Sequence, residues 1–232
     1  SALASKAGEL IGSVAGLADE TREYRDEMSK LETTFINAGE GAYDAQQQYK
    51  ALYGVLGDSG KATEATMHLA QLTTDTEELA NWNHILTGVY AQFGDTLPVE
   101  ALSEAINHTV SLGEVQGNLA DALEWNSISV DDFNAKLAKC STEQERQELI
   151  ASTLNDVYGE SADKYLQLND SVIKANEAQA DFEQSTADLG EMVEPVTTSV
   201  KNGFTDILNE IIWLTDNMDE EGIASKIDAA FD

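Results

Sequence analysis

Apolar or small residues recur at Leu3, Ala7, Leu10, Val14, Leu17, Thr21, Tyr24, Met28, Leu31 and Phe35, with spacings that alternate four and three without a break. A period of 3.5 residues keeps one stripe of a helix facing a partner over many turns, so this segment needs another helix. The Glu, Lys and Arg residues between 19 and 32 suit the solvated flanks of such a seam. The spacing predicts an N-terminal coiled-coil arm over 1–36, about 50 Å long at ~1.5 Å per residue. Its seam is Leu3, Leu10, Val14, Leu17, Tyr24, Met28, Leu31 and Phe35. Ala7 and Thr21 weaken that seam, and the same residues also suit an amphipathic helix lying on a globular core.

A second series begins after Tyr158-Gly159. Ala162, Tyr165, Leu168, Val172, Ala175, Ala178, Phe182, Thr186 and Leu189 again follow a period near 3.5. This predicts a C-terminal helical arm over 160–216, with Tyr165, Leu168, Val172, Phe182 and Leu189 in its seam. Gly190 and Pro195 interrupt the pattern. An interior proline lacks an N–H and clashes with the preceding turn, at a cost of about 3 kcal/mol, so a break is expected near 190–195. Val196, Val200, Phe204, Ile207, Ile211 and Leu214 then resume an apolar stripe, and 217–232 reads as an acidic terminal segment.

Between the arms, residues 37–159 read as a head made of shorter helices. Turn and capping signals place them at about 43–57, 60–72, 75–93, 98–111, 116–125, 129–139 and 142–158. Ser129 with Asp132, and Thr142 with Glu145, are capping pairs in which a hydroxyl accepts from an orphan N–H and an acid reaches back. The expected core comprises Trp82, Ile85, Val89, Phe93, Leu97, Leu102, Ile106, Leu119, Leu123, Trp125, Phe133, Leu137, Leu149, Ile150, Leu154 and Tyr158. The fold class expected from this pattern is all-α and extended, with two long coiled-coil-like helical arms flanking a bundle of shorter helices. Two prolines in 232 residues agree with long helices over a many-turned β fold.

Charge removes one class of function. Lys and Arg number 13 against 43 Asp and Glu, a net −30, and no basic stretch exists to neutralise phosphates. Direct nucleic-acid binding is therefore not expected. The longest uncharged window, 79–94, contains Asn81, Asn83, His84, Thr87 and Gln92, so no membrane-spanning segment is expected either. Cys140 is a single cysteine and cannot form an intramolecular disulfide or a thiolate zinc site. The chain begins at Ser1 with no initiator Met and no signal-peptide pattern, which points to a section of a longer protein.

Few motifs carry chemistry. Gly54 to Lys61 resembles a phosphate-binding loop but encloses five residues between Gly54 and Gly60, lacks the following Ser or Thr, and has no strand before it. It reads as a helix-helix turn. His68, His84 and His108 show no paired-ligand spacing, and Cys140 has no sequence partner that would activate it. Asn217, Asp219, Glu221, Ser225 and Asp228 are spaced like the oxygen ligands of a calcium loop, with Gly222 at the turn position. Asn217 replaces the usual acid, Glu221 is long, and Asp228 is too short for a bidentate grip. The segment therefore reads first as an acidic helix terminus. No cofactor, metal site or catalytic residue is expected.

Three linked motifs are more specific. Tyr49-x-x-Leu52-x-x-x-Leu56-Gly57-Asp58 is followed by Pro98-Val-Glu-Ala-Leu102-x-x-Ala105-Ile106-Asn107 and by Gly113-x-Val115-x-Gly117-x-Leu119-Ala120-Asp121-Ala122-Leu123-x-Trp125. Asp131-Asp132-Phe133-Asn134, Leu137-Ala138-x-Cys140-Ser141, Glu145-Arg146-x-x-Leu149-Ile150, Leu154-x-x-x-Tyr158 and Tyr165-x-x-x-Asn169 continue the order. Over about 43–215 the chain resembles the conserved region of phage tail tape measure proteins. The resemblance implies a mostly helical structural protein that helps assemble the tail and sets its length inside the tail tube. It implies tail-tube and tail-assembly chaperone proteins as partners and homo-oligomers through coiled coil. The implied location is the virion tail, and the host bacterial cytoplasm during assembly. The membrane-active and peptidoglycan-cleaving segments of some members have no counterpart here. An acidic coiled-coil adaptor or scaffold of another secreted or contractile assembly is the alternative from a binding class.

Overall fold

The computed structural model describes residues 16–17, 19, 21–37, 39, 41–73 and 75–217. The fold is all-α: helix takes 87% and no strand occurs among the described residues. Eight α-helices follow one another there: α1 Arg22–Asn37, α2 Ala42–Leu56, α3 Ser59–Leu72, α4 Thr76–Phe93, α5 Val99–Leu112, α6 Gly117–Glu124, α7 Val130–Leu137 and α8 Glu143–Asn217. The chain divides into two compact units, residues 24–184 and residues 1–23 with 185–232.

Short helices end where the side chains satisfy the loose backbone groups. Asp58 Oδ1 accepts from Lys61 N at 3.0 Å, and Asp75 Oδ1 accepts from Glu77 N and Glu78 N at 2.9 and 3.0 Å. Ser129 Oγ accepts from Asp132 N at 3.3 Å, and Thr142 Oγ1 accepts from Glu145 N at 3.1 Å, while the Glu145 carboxylate accepts from Ser141 N. Each is a hydroxyl or carboxylate replacing the missing intrahelical acceptor. Gly57, at φ 65°, closes α2 in the left-handed conformation and hands the chain to Asp58, so Gly54 to Lys61 is a turn between helices.

Two expected boundaries are absent. The helix from Glu143 continues through Tyr158-Gly159, and it continues again through Gly190 and Pro195 to Asn217. At Gly159 a Cβ would stand 3.1 Å from Asn155 Oδ1, the tip of a side chain on the same helix, and at an ordinary contact distance of 3.7 Å from His84 Cε1. Gly190 is buried where space is short, against Thr21 Oγ1 and the Leu17 carbonyl. Pro195 deletes one backbone hydrogen bond, and that single loss does not end a helix of 75 residues. Gly190 marks a close approach, which sequence alone does not separate from termination.

In the unit of residues 24–184, Met28, Leu31 and Phe35 of α1 lie in one hydrophobic cluster with Tyr49, Leu69 and Trp82. Leu31 and Phe35 are fully buried, each burial stabilising by roughly 1.5–3 kcal/mol. The latter half of the expected N-terminal arm is thus the amphipathic helix on a globular core, because the head presents an apolar surface to it. Leu3, Leu10 and Val14 lie outside the described residues, and Leu17 is half-buried.

Thirteen of the sixteen expected core residues are buried, from Trp82 through Tyr158. Phe93 and Leu149 are partly buried, and Trp125 is 46% exposed. Trp125 occupies the C-cap of α6, where one side of its indole meets Phe93 edge-on at 4.8 Å and the rest faces outward. In the other unit, Arg22 pairs with Asp19 at 2.9 Å and Glu194 at 3.5 Å, and Thr21 Oγ1 donates to the Leu17 carbonyl at 2.9 Å.

Candidate functional site

Within residues 24–184 the stretch of α8 from Ile150 to Gln184 has one docked side and one exposed side. Its docked side follows a strict alternation of four and three: Ala162, Leu166, Asn169, Ile173, Asn176, Ala180 and Glu183, all buried or half-buried. Ala187 and Gly190, in the other unit, continue the same spacing. The seam exists, but it sits one residue away from the expected one. A shift of one residue turns a helix face by about 100°, which carries Leu168, Val172, Phe182 and Leu189 outward at 81%, 55%, 65% and 54% exposure. Tyr165 alone of that set packs inward, its ring edge-on to Tyr90 at 5.9 Å.

Small residues let the backbone of α8 approach closely, and polar groups then fill the junction. Asn176 Nδ2 donates to the Gly54 carbonyl at 2.9 Å beside Gly57. Lys50 Nζ donates to both oxygens of Asp181 at 2.8 and 2.7 Å, Tyr53 OH donates to Glu183 at 3.2 Å, and Tyr24 OH donates to Gln184 at 3.1 Å. Nearer the head, His84 Nε2 meets Asp163 Oδ1 at 2.9 Å and Gln92 Nε2 donates to Ser161 at 2.8 Å. Burial pushes the Tyr158 phenol up to about 12 and raises Tyr53 and Tyr165, and Tyr158 and Tyr53 donate as neutral phenols.

Two clefts border the same helix. One of about 440 Å³ is lined by Gln71, Asn107, His108, Glu143, Gln144 and Gln147 among others. The second, about 280 Å³, runs past Glu78, Asn81, Gln144, Glu148 and Asn155. Their amides are engaged: Gln144 and Gln147 both donate to the Glu78 carboxylate, and Asn107 donates to the His68 carbonyl and to Gln71. The first cleft also carries Ser111 beside His108, and no hydrogen bond joins the two among the described residues. Cys140 is half-buried with its thiol 3.7 Å from the Lys136 carbonyl, and His68 and His84 have carboxylate neighbours.

No group of three or more His, Cys, Asp or Glu side chains that could hold a metal occurs among the described residues. Asp219, Glu221, Ser225 and Asp228 of the calcium-like spacing lie outside those residues, and Asn217 is the last residue of α8. No described helix is long and apolar enough to cross a membrane. The outward side of α8 carries Leu168, Val172 and Phe182, all more than half exposed. The sequence signal for its docked side was the small-residue heptad Ala162, Asn169, Asn176 together with Ile173 and Ala180, which a search for large apolar residues passes over. No family model, curated protein or solved structure matches this chain.

Proposed function

We propose that this chain is a structural section of a bacteriophage or prophage tail tape measure protein, acting in tail assembly and tail length determination inside the tail tube. The observation that carries the reading is the ordered series of linked motifs between residues 43 and 215. Their residues supply the caps and core of successive helices. Tyr49 and Leu52 are buried on α2, Gly57-Asp58 joins α2 to α3, and Pro98 caps α5, whose Leu102 and Ile106 are fully buried. Leu119, Leu123, Phe133, Ile150, Leu154 and Tyr158 continue the series inward. A motif set of this kind defines a scaffold and leaves no residue for catalysis, so the role is non-enzymatic.

In this reading the extension comes from coiled-coil-like arms, the heptads of 1–17 and the distal part of α8, and homo-oligomers form through them. Its partners are tail-tube and tail-assembly chaperone proteins, met in the host cytoplasm during assembly and then in the virion tail. A helix suits a ruler because its rise is fixed at ~1.5 Å per residue. A net charge of −30 suits a chain that must share a tube with DNA without binding it.

Electron microscopy of tails assembled with an in-frame deletion of two or more heptads within 160–184 tests the proposal. Shortening by roughly 1.5 Å per deleted residue is expected. Tails of unchanged length, with the chain still co-purifying with other assembly components, would favour the acidic adaptor or scaffold.

A further inference from the structure

We infer that the cleft of about 440 Å³ between α3, α5 and the start of α8 binds a guanidinium group. Amides from three helices line it: Gln71 of α3, Asn107 of α5, and Gln144 and Gln147 of α8. A primary amide has two N–H donors and one acceptor oxygen, and the bonds it already makes fix which end is left over. Asn107 Nδ2 donates to the His68 carbonyl at 2.7 Å and to Gln71 Oε1 at 3.2 Å. Gln144 Nε2 donates to Glu78 at 3.4 Å and Glu148 at 3.2 Å, and Gln147 Nε2 donates to Glu78 at 3.2 Å. Glu78 and Glu148 border the second cleft, so these two nitrogens turn that way and leave their oxygens to the first. No described residue donates to the oxygens of Asn107, Gln144 or Gln147, and those of Asn107 and Gln147 still reach open space. Gln147 is only 5% exposed and lines both clefts. A carbonyl set that deep without a donor gains from any N–H brought to it. Gln71 is the exception, exposed and with its oxygen taken by Asn107.

Unmatched acceptors call for a donor, and the surrounding charge calls for a cation. Glu143 lines the same cleft, Glu78 and Glu148 line its neighbour, and neither lining includes a Lys or Arg. Arg146 stands 3.8 Å from Glu143, but its Nε is already held by the Val110 carbonyl at 2.6 Å. A guanidinium is planar, permanently charged and carries five N–H donors in a fixed fork, so it can meet acceptors on α5 and α8 at once. An ammonium has three donors around one point and matches fewer of them. The volume suits a small polar group entering from the surface. The guanidinium comes either from an arginine of another protein or from a small free guanidine. The site does not depend on the tape measure reading.

The experiment follows the amide signals of the full chain by nitrogen-15 NMR while N-acetylarginine amide, its citrulline and lysine counterparts, and agmatine are each added. The arginine compound should bind saturably and shift the side-chain amide signals of Asn107, Gln144 and Gln147. Citrulline keeps the shape and loses the charge, and should bind about tenfold more weakly; lysine should bind about threefold more weakly. Gln147→Met keeps the side-chain length, removes the oxygen and should weaken arginine binding about tenfold. Because Gln147 is buried, Glu143→Gln is the second variant: that side chain is 67% exposed, so the fold tolerates the change, and binding should weaken about threefold. Agmatine that matches the arginine compound assigns the site to free guanidines, and weaker agmatine assigns it to an arginine within a chain. Absence of saturable binding, equal binding of citrulline, or shifts scattered over the surface and unaltered by Glu143→Gln each overturn the inference.

Discussion

Gly88 of α4 lies directly under the Tyr158 carbonyl of α8: a Cβ built on Gly88 would stand 2.2 Å from that oxygen and 2.9 Å from the Tyr158 Cβ. The obstacle is backbone, which cannot swing aside. On the far side of the same residue, the Tyr158 hydroxyl donates to the Ala122 carbonyl at 2.6 Å and accepts from Asn126 Nδ2 at 2.7 Å. One residue of α8 is thus fixed by α4 through its backbone and by α6 through its side-chain tip.

Gly88→Ala should force α4 and α8 apart and destabilise the unit of residues 24–184 by about 2–3 kcal/mol. Gly60→Ala, at an exposed helical position whose nearest neighbour is Asp58 Oδ1 at 3.6 Å, should stabilise by up to about 1 kcal/mol. Urea unfolding followed by circular dichroism separates the two. Equal midpoints would contradict the close crossing.

Stability should fall at alkaline pH. Burial raises the phenols of Tyr49 and Tyr158 to about 12 in the folded chain, above the ordinary value of 10. The unfolded chain therefore loses these protons first. The stabilisation is complete below pH 10 and is lost as pH rises from 10 towards 12. Thermal melts at pH 8, 10 and 11 should show the decline, and Tyr49→Phe with Tyr158→Phe should make it shallower against the background of titrating lysines. An unchanged slope would refute the assignment.

Gln48 and Asn83 form a buried amide pair between α2 and α4, with Asn83 Nδ2 donating to Gln48 Oε1 at 2.7 Å. Asn83 Oδ1 is buried without a partner. Asn83→Ala strands the Gln48 amide and should cost about 1–3 kcal/mol, whereas Gln48→Leu with Asn83→Leu should lie within about 1 kcal/mol of the native chain. A double-mutant cycle that found additive losses would show that the two amides act separately.

In the other unit, a Cβ on Gly190 would meet Thr21 Oγ1 at 2.2 Å and the Leu17 carbonyl at 3.3 Å. Gly190→Ala alone should loosen the packing of that unit, and Thr21→Ala should restore it by clearing the hydroxyl. Limited proteolysis of the single and double variants reads the difference. Restoration that fails would mean the Leu17 backbone sets the limit.

The helices of the head were legible because their ends carry local chemistry. Asp58, Asp75, Ser129 and Thr142 cap where sequence placed starts, and the expected and observed bounds of α2 through α7 agree within about two residues. The continuity of α8 was not legible. Gly159, Gly190 and Pro195 look like stops when read locally, and only the neighbours Thr21 and Leu17 reveal Gly190 as a point of close contact. The register of α8 failed for a related reason. Hydrophobicity ranks Leu168 and Val172 above Asn169, Asn176 and Ala180, yet the docked side of α8 mixes those small and polar residues with Leu166 and Ile173. Met28, Leu31 and Phe35 were legible as a face, but which surface covered them depended on distant residues such as Tyr49 and Trp82.

The alanine-lined face of α8 inverts the usual relation between side-chain size and tolerance to mutation. Ala162 and Ala180 are almost completely covered, and a larger residue at either has nowhere to go. Leu168 and Val172 can change to nearly anything without the fold noticing. Selection acting through stability alone would guard the two alanines and let the leucine and valine drift towards polar residues. A large apolar pair kept at 168 and 172 would then record a demand made from outside the fold.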